Sequence, residues 1–321
     1  MSASTPLKGL RWQGSFESIP QAPRAHLRSA VVRSEAQHAD LIRELDLIGR
    51  AVAETGVRPM LVGGAAHVAA GSLCAMGRDL TAIRLIVPTE HMPRTEAALM
   101  ARGWTSIHHD PYQRQFHRRW MNGPAPLLHV QRHSVVLLRD RALSGRAGQT
   151  LTAPALEASA VQLDRGGLAT PGPVDLALCT MAQLYSATNP DTAWRNLSDL
   201  DLLLRHLGSE PGFWTELPRR ARELALARPL RHGLRWTAKL LGTPIPMPVF
   251  VAATRGMSRP ISDAIWASAL GTPSDTEPVG RLAGWARSAF LYRGLRLRMP
   301  MLPVLVHLAS DAQPLPSKRA G

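Results

Sequence analysis

Apolar positions change spacing along the chain, and each change marks an element. From residue 36 to 55 the period is helical. Leu41, Leu45, Ile48 and Val52 recur at intervals of four and three, on one face, and Gly56 closes the segment. Residues 1–35 mix Pro, Ser and Arg without a period, so a loosely packed arm is expected there. Pro59-Met60-Leu61-Val62 is a short, continuously apolar run that enters Gly63-Gly64, the pattern of a buried strand stopped by a tight turn. Residues 65–76 are small and apolar and suit a helix held close to a sheet. Ile83, Leu85, Ile86 and Val87 predict a second strand ended by Pro88, and residues 90–102 a helix closed by Gly103. Further strands are expected at 104–107, at 114–120 and, with β-branched Val130, Val135 and Val136, at 127–138.

Residues 36–140 are therefore expected to form a small α/β core. Residues 141–172, rich in Gly, Ala and Thr, are expected to connect it to a helical domain at 173–250. There Leu176, Leu178, Met181 and Leu184, then Leu197, Leu200, Leu203 and Leu204, recur at helical spacing. Two more helices are expected at 216–227 and 230–241, ended by Gly242 and the Pro244/Pro246 pair. Residues 251–321 form a C-terminal extension interrupted by Pro and Gly. The expected class is α/β of the α+β kind: a mixed sheet followed by a mostly helical half.

Composition narrows the classes of function. Apolar content of 45% and charged content of 19% describe a globular protein. No run approaches the roughly 20 apolar residues of a membrane span, and no apolar segment follows the first charges as in a signal peptide. Cys74 and Cys179 alone offer neither a disulfide framework nor a multi-cysteine zinc site, so the cytoplasm is the expected compartment. The net charge of +14 raises nucleic acid as a partner. Only three of the 38 basic residues are Lys, and the Arg residues spread along the whole chain. Coding bias and solvated surface account for that distribution, and nucleic acid is not the expected partner. The basic, apolar stretch at 286–308 raises peripheral membrane contact; Pro300 and Pro303 would cut a helix short there, so this partner is not expected either. His108, His109, His117, His129 and His133 lack an HxxxH or HExxH frame and read as packing or surface residues.

The most informative segment is Leu61-Val62-Gly63-Gly64-Ala65-Ala66 followed by Ala82-Ile83-Arg84-Leu85-Ile86-Val87-Pro88. It resembles the core of minimal nucleotidyltransferases, of the DNA polymerase beta-like fold, where a strand, a Gly turn and a helix precede a strand opening with Asp-x-Asp. Residues i and i+2 of a strand share a face, so two carboxylates there hold a divalent cation jointly. That cation bridges the triphosphate in an in-line transfer, and the Gly turn admits phosphates close to the backbone. The segments 173–204, with Trp194-Arg195-Asn196-Leu197-Ser198-Asp199-Leu200, and 213–246 are similar to the helical half of an uncharacterised bacterial nucleotidyltransferase family. The resemblance covers about residues 36–250.

The departures carry as much meaning as the matches. Arg78 falls on the family's Arg, but the two metal-binding aspartates fall on Ala82 and Arg84, and the third acidic position on Gln131, two residues before His133. Asp79 is the one carboxylate near enough in sequence to substitute. The resemblance implies ligand contacts at Gly63, Gly64, Arg78, Arg84, His133 and Asp199. A salt-bridged residue at a strand start remains the favoured account of Arg84, and a surface or capping role stays open for Asp199. The expected function is a degenerate nucleotidyltransferase without a cofactor. It would serve as a binding or scaffold component of a bacterial peptide-modification or exopolysaccharide system, with a protein or peptide partner and a nucleotide as a further ligand. Two alternatives stand beside it: an active transferase using Mg²⁺, and a basic nucleic-acid-binding module.

Overall fold

The computed structural model describes residues 20–75, 80, 82–106, 118–122, 135–139, 141–143, 151–164, 167–255, 260–270 and 281–298. The first element is α1 (Gln21–Ala53), which begins well upstream of the helix expected from residue 36. Pro23 sits in its first turn, where a missing N–H costs nothing, and Val31 and Ser34 are buried. The expected arm thus loses residues 21–35 to the helix; the Arg and Ala that blur the apolar period there are themselves good helix formers.

Next come β1 (Met60–Val62), α2 (Gly64–Ala69), a 3₁₀ turn (Leu73–Ala75) and β2 (Ala82–Ile86). α2 stops sooner than the pattern at 65–76 predicts, and Gly71 with φ +62° follows it. A 3₁₀ turn leads into α3 (Met92–Ala101), then β3 (Trp104–Ser106), β4 (Arg118–Asn122), β5 (Val135–Arg139), β6 (Arg141–Leu143) and β7 (Leu151–Thr152). α4 (Ala153–Glu157), β8 (Val161–Gln162) and β9 (Ala169–Thr170) complete this half.

The main sheet is mixed, and among the described residues its order is β3-β4-β5-β2-β1-β9-β8. β1 runs antiparallel to β2, with Val62 opposite Arg84 and Met60 opposite Ile86. β2 runs parallel to β5, with Ala82 beside Val135 and Arg84 beside Leu137. The segment expected only to connect also supplies β9, which lies parallel to β1 at Met60–Ala169.

The helical half holds α5 (Pro173–Tyr185), α6 (Pro190–Leu207), α7 (Phe213–Glu223) and α8 (Ala227–Leu241). α9 (Met247–Thr254), α10 (Pro260–Leu270) and α11 (Arg281–Arg298) follow. Asn189 caps α6, its side-chain oxygen accepting from the Asp191 N–H at 2.7 Å.

The sheet separates two apolar cores. Leu61, Ile83 and Leu85 face Leu41, Leu45, Ile48 and Val52 of α1 and Leu99 of α3. Met60, Val62 and Ile86 face the helical half, joining Leu178, Met181, Leu197 and Leu200. Strand alternation then puts Ala82 and Arg84 on that second side, toward the helices. The extension joins the same core through Trp266 and Phe290, both fully buried.

Candidate functional site

The site starts from one backbone conformation. Gly63 has φ +69° and ψ −143°, a region open to glycine and strained for any side chain. It reverses the chain between β1 and α2 so that Gly64, the first residue of α2, is buried beneath the turn. The missing side chain leaves room that two other residues fill. A Cβ on Gly63 would lie 3.1 Å from Nη1 of Arg84, and 3.7 and 3.8 Å from Nε2 and Oε1 of Gln183. A guanidinium from β2 and an amide from α5 therefore converge on the glycine turn, from opposite halves of the molecule.

The i, i+2 geometry of β2 holds as the sequence predicts. Ala82 is half-buried and Arg84 exposed, while Ile83 and Leu85 between and beyond them are fully buried. A methyl and a guanidinium give a divalent cation no oxygen ligand, and the guanidinium repels it. Among the described residues no three His, Cys, Asp or Glu side chains are grouped to hold a metal ion. Arg78, Asp79, Gln131 and His133 lie outside the described residues, as do His108, His109, His117 and His129.

Asp199 is buried in α6. Its carbonyl accepts from the Cys74 thiol at 3.1 Å, which fastens the 3₁₀ turn after α2 to the helical half. The burial removes the surface role that had stayed open for Asp199. Gln183 was not singled out by the sequence pattern; its signal was a polar side chain inside the apolar run of α5. His67 on α2 was missed likewise. It is buried, with Nε2 3.3 Å from Oγ1 of Thr180 on α5, so the glycine turn and the helical half are tied at a second point.

Asp175, Cys179 and His232 are further buried groups, all in the helical half. Asp175 of α5 accepts a bidentate pair from Arg220 of α7, at 2.9 and 2.8 Å, and a further hydrogen bond from the Ser159 hydroxyl. The hydrogen bonds from Arg220 to Asp175 raise the guanidinium's pKa above its usual value, so it remains charged. Burial pushes the neighbouring Cys179 thiol up, with Asp175 adding to the effect, and a neutral thiol there is no nucleophile. His232 is held well below its ordinary pKa by burial and by Arg293 and Arg235. Its ring sits 4.2 Å from that of Trp266.

Comparison with known proteins decides the lineage. The family described as uncharacterised nucleotidyltransferase matches residues 6–242, well over half of the chain. The chain belongs to that family. No curated protein and no solved structure matches it. In this nucleotidyltransferase-family chain the matched region takes in both sides of the site, from Gly63 and Arg84 to Gln183. It ends near Gly242, before Trp266, Phe290 and Arg293 are contributed by the extension.

Proposed function

We propose that this chain is a catalytically degenerate nucleotidyltransferase, retained as a binding or scaffold component of a bacterial peptide-modification or exopolysaccharide system. One observation supports it above the others: the Arg84 guanidinium lies against the Gly63 turn, where the family's fold would bring a metal-bound phosphate. In this reading Ala82, Arg84 and Gln131 stand at the three metal-ligand positions, and a fixed cation replaces a bound one. A guanidinium can hold phosphate oxygens through charge-assisted hydrogen bonds, but it cannot bridge attacking and leaving oxygens as a metal does. Recognition without transfer follows. Gln183, half-buried beside Arg84, supplies a neutral donor from the helical half, and Asp199 contributes by fixing the 3₁₀ turn.

Calorimetric titration with ATP, in chelator and then in Mg²⁺, tests the proposal alongside an assay for released pyrophosphate. The expected result is no pyrophosphate and an affinity that Mg²⁺ does not raise. Arg84→Gln should weaken any binding in chelator by about tenfold, the loss of one charge-assisted contact. Tight binding that requires Mg²⁺, accompanied by turnover, would overturn the proposal and favour an active transferase.

A further inference from the structure

The corner between α5 and α6 is gripped by the extension. At the end of α5 the Ser186 hydroxyl donates to the Ala182 carbonyl at 2.9 Å, and the Ala187 amide to the Leu184 carbonyl at 3.1 Å. The Tyr185 carbonyl is satisfied from far along the chain: Arg293 of α11 donates to it at 2.8 Å. A guanidinium at a helix C-terminus also complements the helix dipole. The same group lies 4.7 Å from the Tyr185 ring and 5.4 Å from that of Trp266. Beside it the backbone of α11 meets the corner itself. A Cβ on Gly294 would collide with the Ala187 carbonyl and Thr188, so only glycine admits this approach. On the α6 side, the Trp194 indole N–H donates at 3.1 Å to the carbonyl of Leu270, the last residue of α10. Two helices of the extension therefore clasp residues 185–194.

Gln183 sits in the last turn of α5, two residues before the carbonyl that Arg293 holds. Its amide reaches the Gly63 turn from the helical half, beside Arg84. Helix ends fray, and a side chain on the final turn moves with that turn. We infer that the extension completes the site at Gly63 indirectly, with Arg293 as a positioning residue that sets Gln183 against the glycine turn through the last turn of α5. The inference rests on the reading of that turn as a ligand site. It gives a role to α10 and α11, which lie beyond the residues that match the family. Packing already seats the helix as a whole, since Met181 and Leu184 are fully buried and Gly233 of α8 lies against Met181. The clasp adds a hold on its end, where the amide is carried. Coupling between two sites is reciprocal. A ligand that uses Gln183 therefore holds the extension more firmly in place.

Two measurements on the full chain test it, and the first needs no ligand. In protein carrying isotope-labelled glycine, the amide NMR signals of Gly63 and Gly64 report the turn directly. Arg293→Gln should shift both signals. Arg293→Lys, which keeps the charge and a donor, should return them toward their native positions. The second measurement is calorimetric titration with ATP in chelator, well below the melting temperature of every variant. Gln183→Ala should weaken binding about fivefold, the loss of one neutral hydrogen bond, and Arg293→Gln by about the same factor. The double variant should be no weaker than Gln183→Ala alone, because a residue that acts through Gln183 then has nothing left to position. Trp194→Phe, which removes the hydrogen bond to the Leu270 carbonyl, replaces Arg293→Gln if that variant melts early. Unmoved glycine signals overturn the inference. Losses that multiply to about 25-fold in the double variant also overturn it and leave Arg293 a brace of the aromatic cluster. If the unaltered protein binds no ATP, the reading of the turn as a ligand site fails instead, and the glycine signals alone decide whether the extension sets its geometry.

Discussion

Asp175→Ala should destabilise the protein by about 3 kcal/mol, because it removes the buried carboxylate that pairs with Arg220 and leaves that largely buried charge only the more exposed Glu223, 3.2 Å away. Asp175 is 1% exposed at its side chain and Arg220 13%. The carboxylate also accepts from Ser159, and the guanidinium donates to the Ala155 carbonyl at 2.8 Å. One ion pair therefore pins α5, α7 and the segment around α4 together. Its loss removes the brace that carries the start of α5, the helix on which Gln183 sits. Chemical denaturation followed by circular dichroism gives the magnitude. The double variant Asp175→Leu, Arg220→Met should recover most of the loss, since an apolar pair of similar volume often replaces a buried ion pair near neutrality. A double variant as unstable as the single one would show that the hydrogen bonds to Ser159 and Ala155, and not the stranded charge, dominate.

Trp266→Ala should cost a comparable amount, about 3–5 kcal/mol. Trp266 is fully buried and is the hub of the aromatic cluster joining the extension to the helical half. Its ring meets His232 edge-on, stacks near Trp236 at 5.8 Å and contacts Phe290. The Arg293 guanidinium covers Trp266 at 5.4 Å and Tyr185 at 4.7 Å, while donating to the Tyr185 carbonyl at 2.8 Å. Trp266→Phe should cost less than half as much. It keeps most of the apolar volume and removes an indole N–H that is buried without a hydrogen-bond partner. Thermal unfolding of both variants checks the order. Equal losses would mean that the cluster depends on the indole itself more than on filled volume.

The sequence displays the site's near side well and its far side poorly, for physical reasons. Gly63, Ala82 and Arg84 were legible because a strand's period of two and a glycine turn leave local marks. The main helices of the second half were legible through Leu spacing, as in Leu197, Leu200, Leu203 and Leu204. β9 was hidden: two residues, Ala169 and Thr170, are too few to show a period, and only their pairing with β1 makes them a strand. Residues 21–35 hid in the same way behind Pro and Arg. Gln183 was invisible as a site residue because nothing local connects it to Gly63, far upstream in the chain. The same holds for Asp175 with Arg220, and for Trp266 with His232. Partnerships between distant segments are set by packing, which a single sequence records only as burial.

Metal dependence of a restored site tests the account's central claim most directly. The variant Ala82→Asp, Arg84→Asp, Gln131→Asp puts two carboxylates on the β2 face that points to the helical half, beside the Gly63 turn. The third would come from the chain just before β5, the strand that pairs in parallel with β2. Clustered carboxylates repel, so the metal-free variant should lose about 1–3 kcal/mol relative to the starting protein. Mg²⁺ or Mn²⁺ should return about 1 kcal/mol or more at concentrations several times the dissociation constant, because the cation binds the folded state alone. The measurement is the melting temperature of this variant and of the unaltered protein, each with and without metal. The account predicts a rise with metal in the variant and none in the unaltered protein. A variant whose melting temperature ignores both cations would contradict the placement of the vacated metal site at Ala82, Arg84 and Gln131.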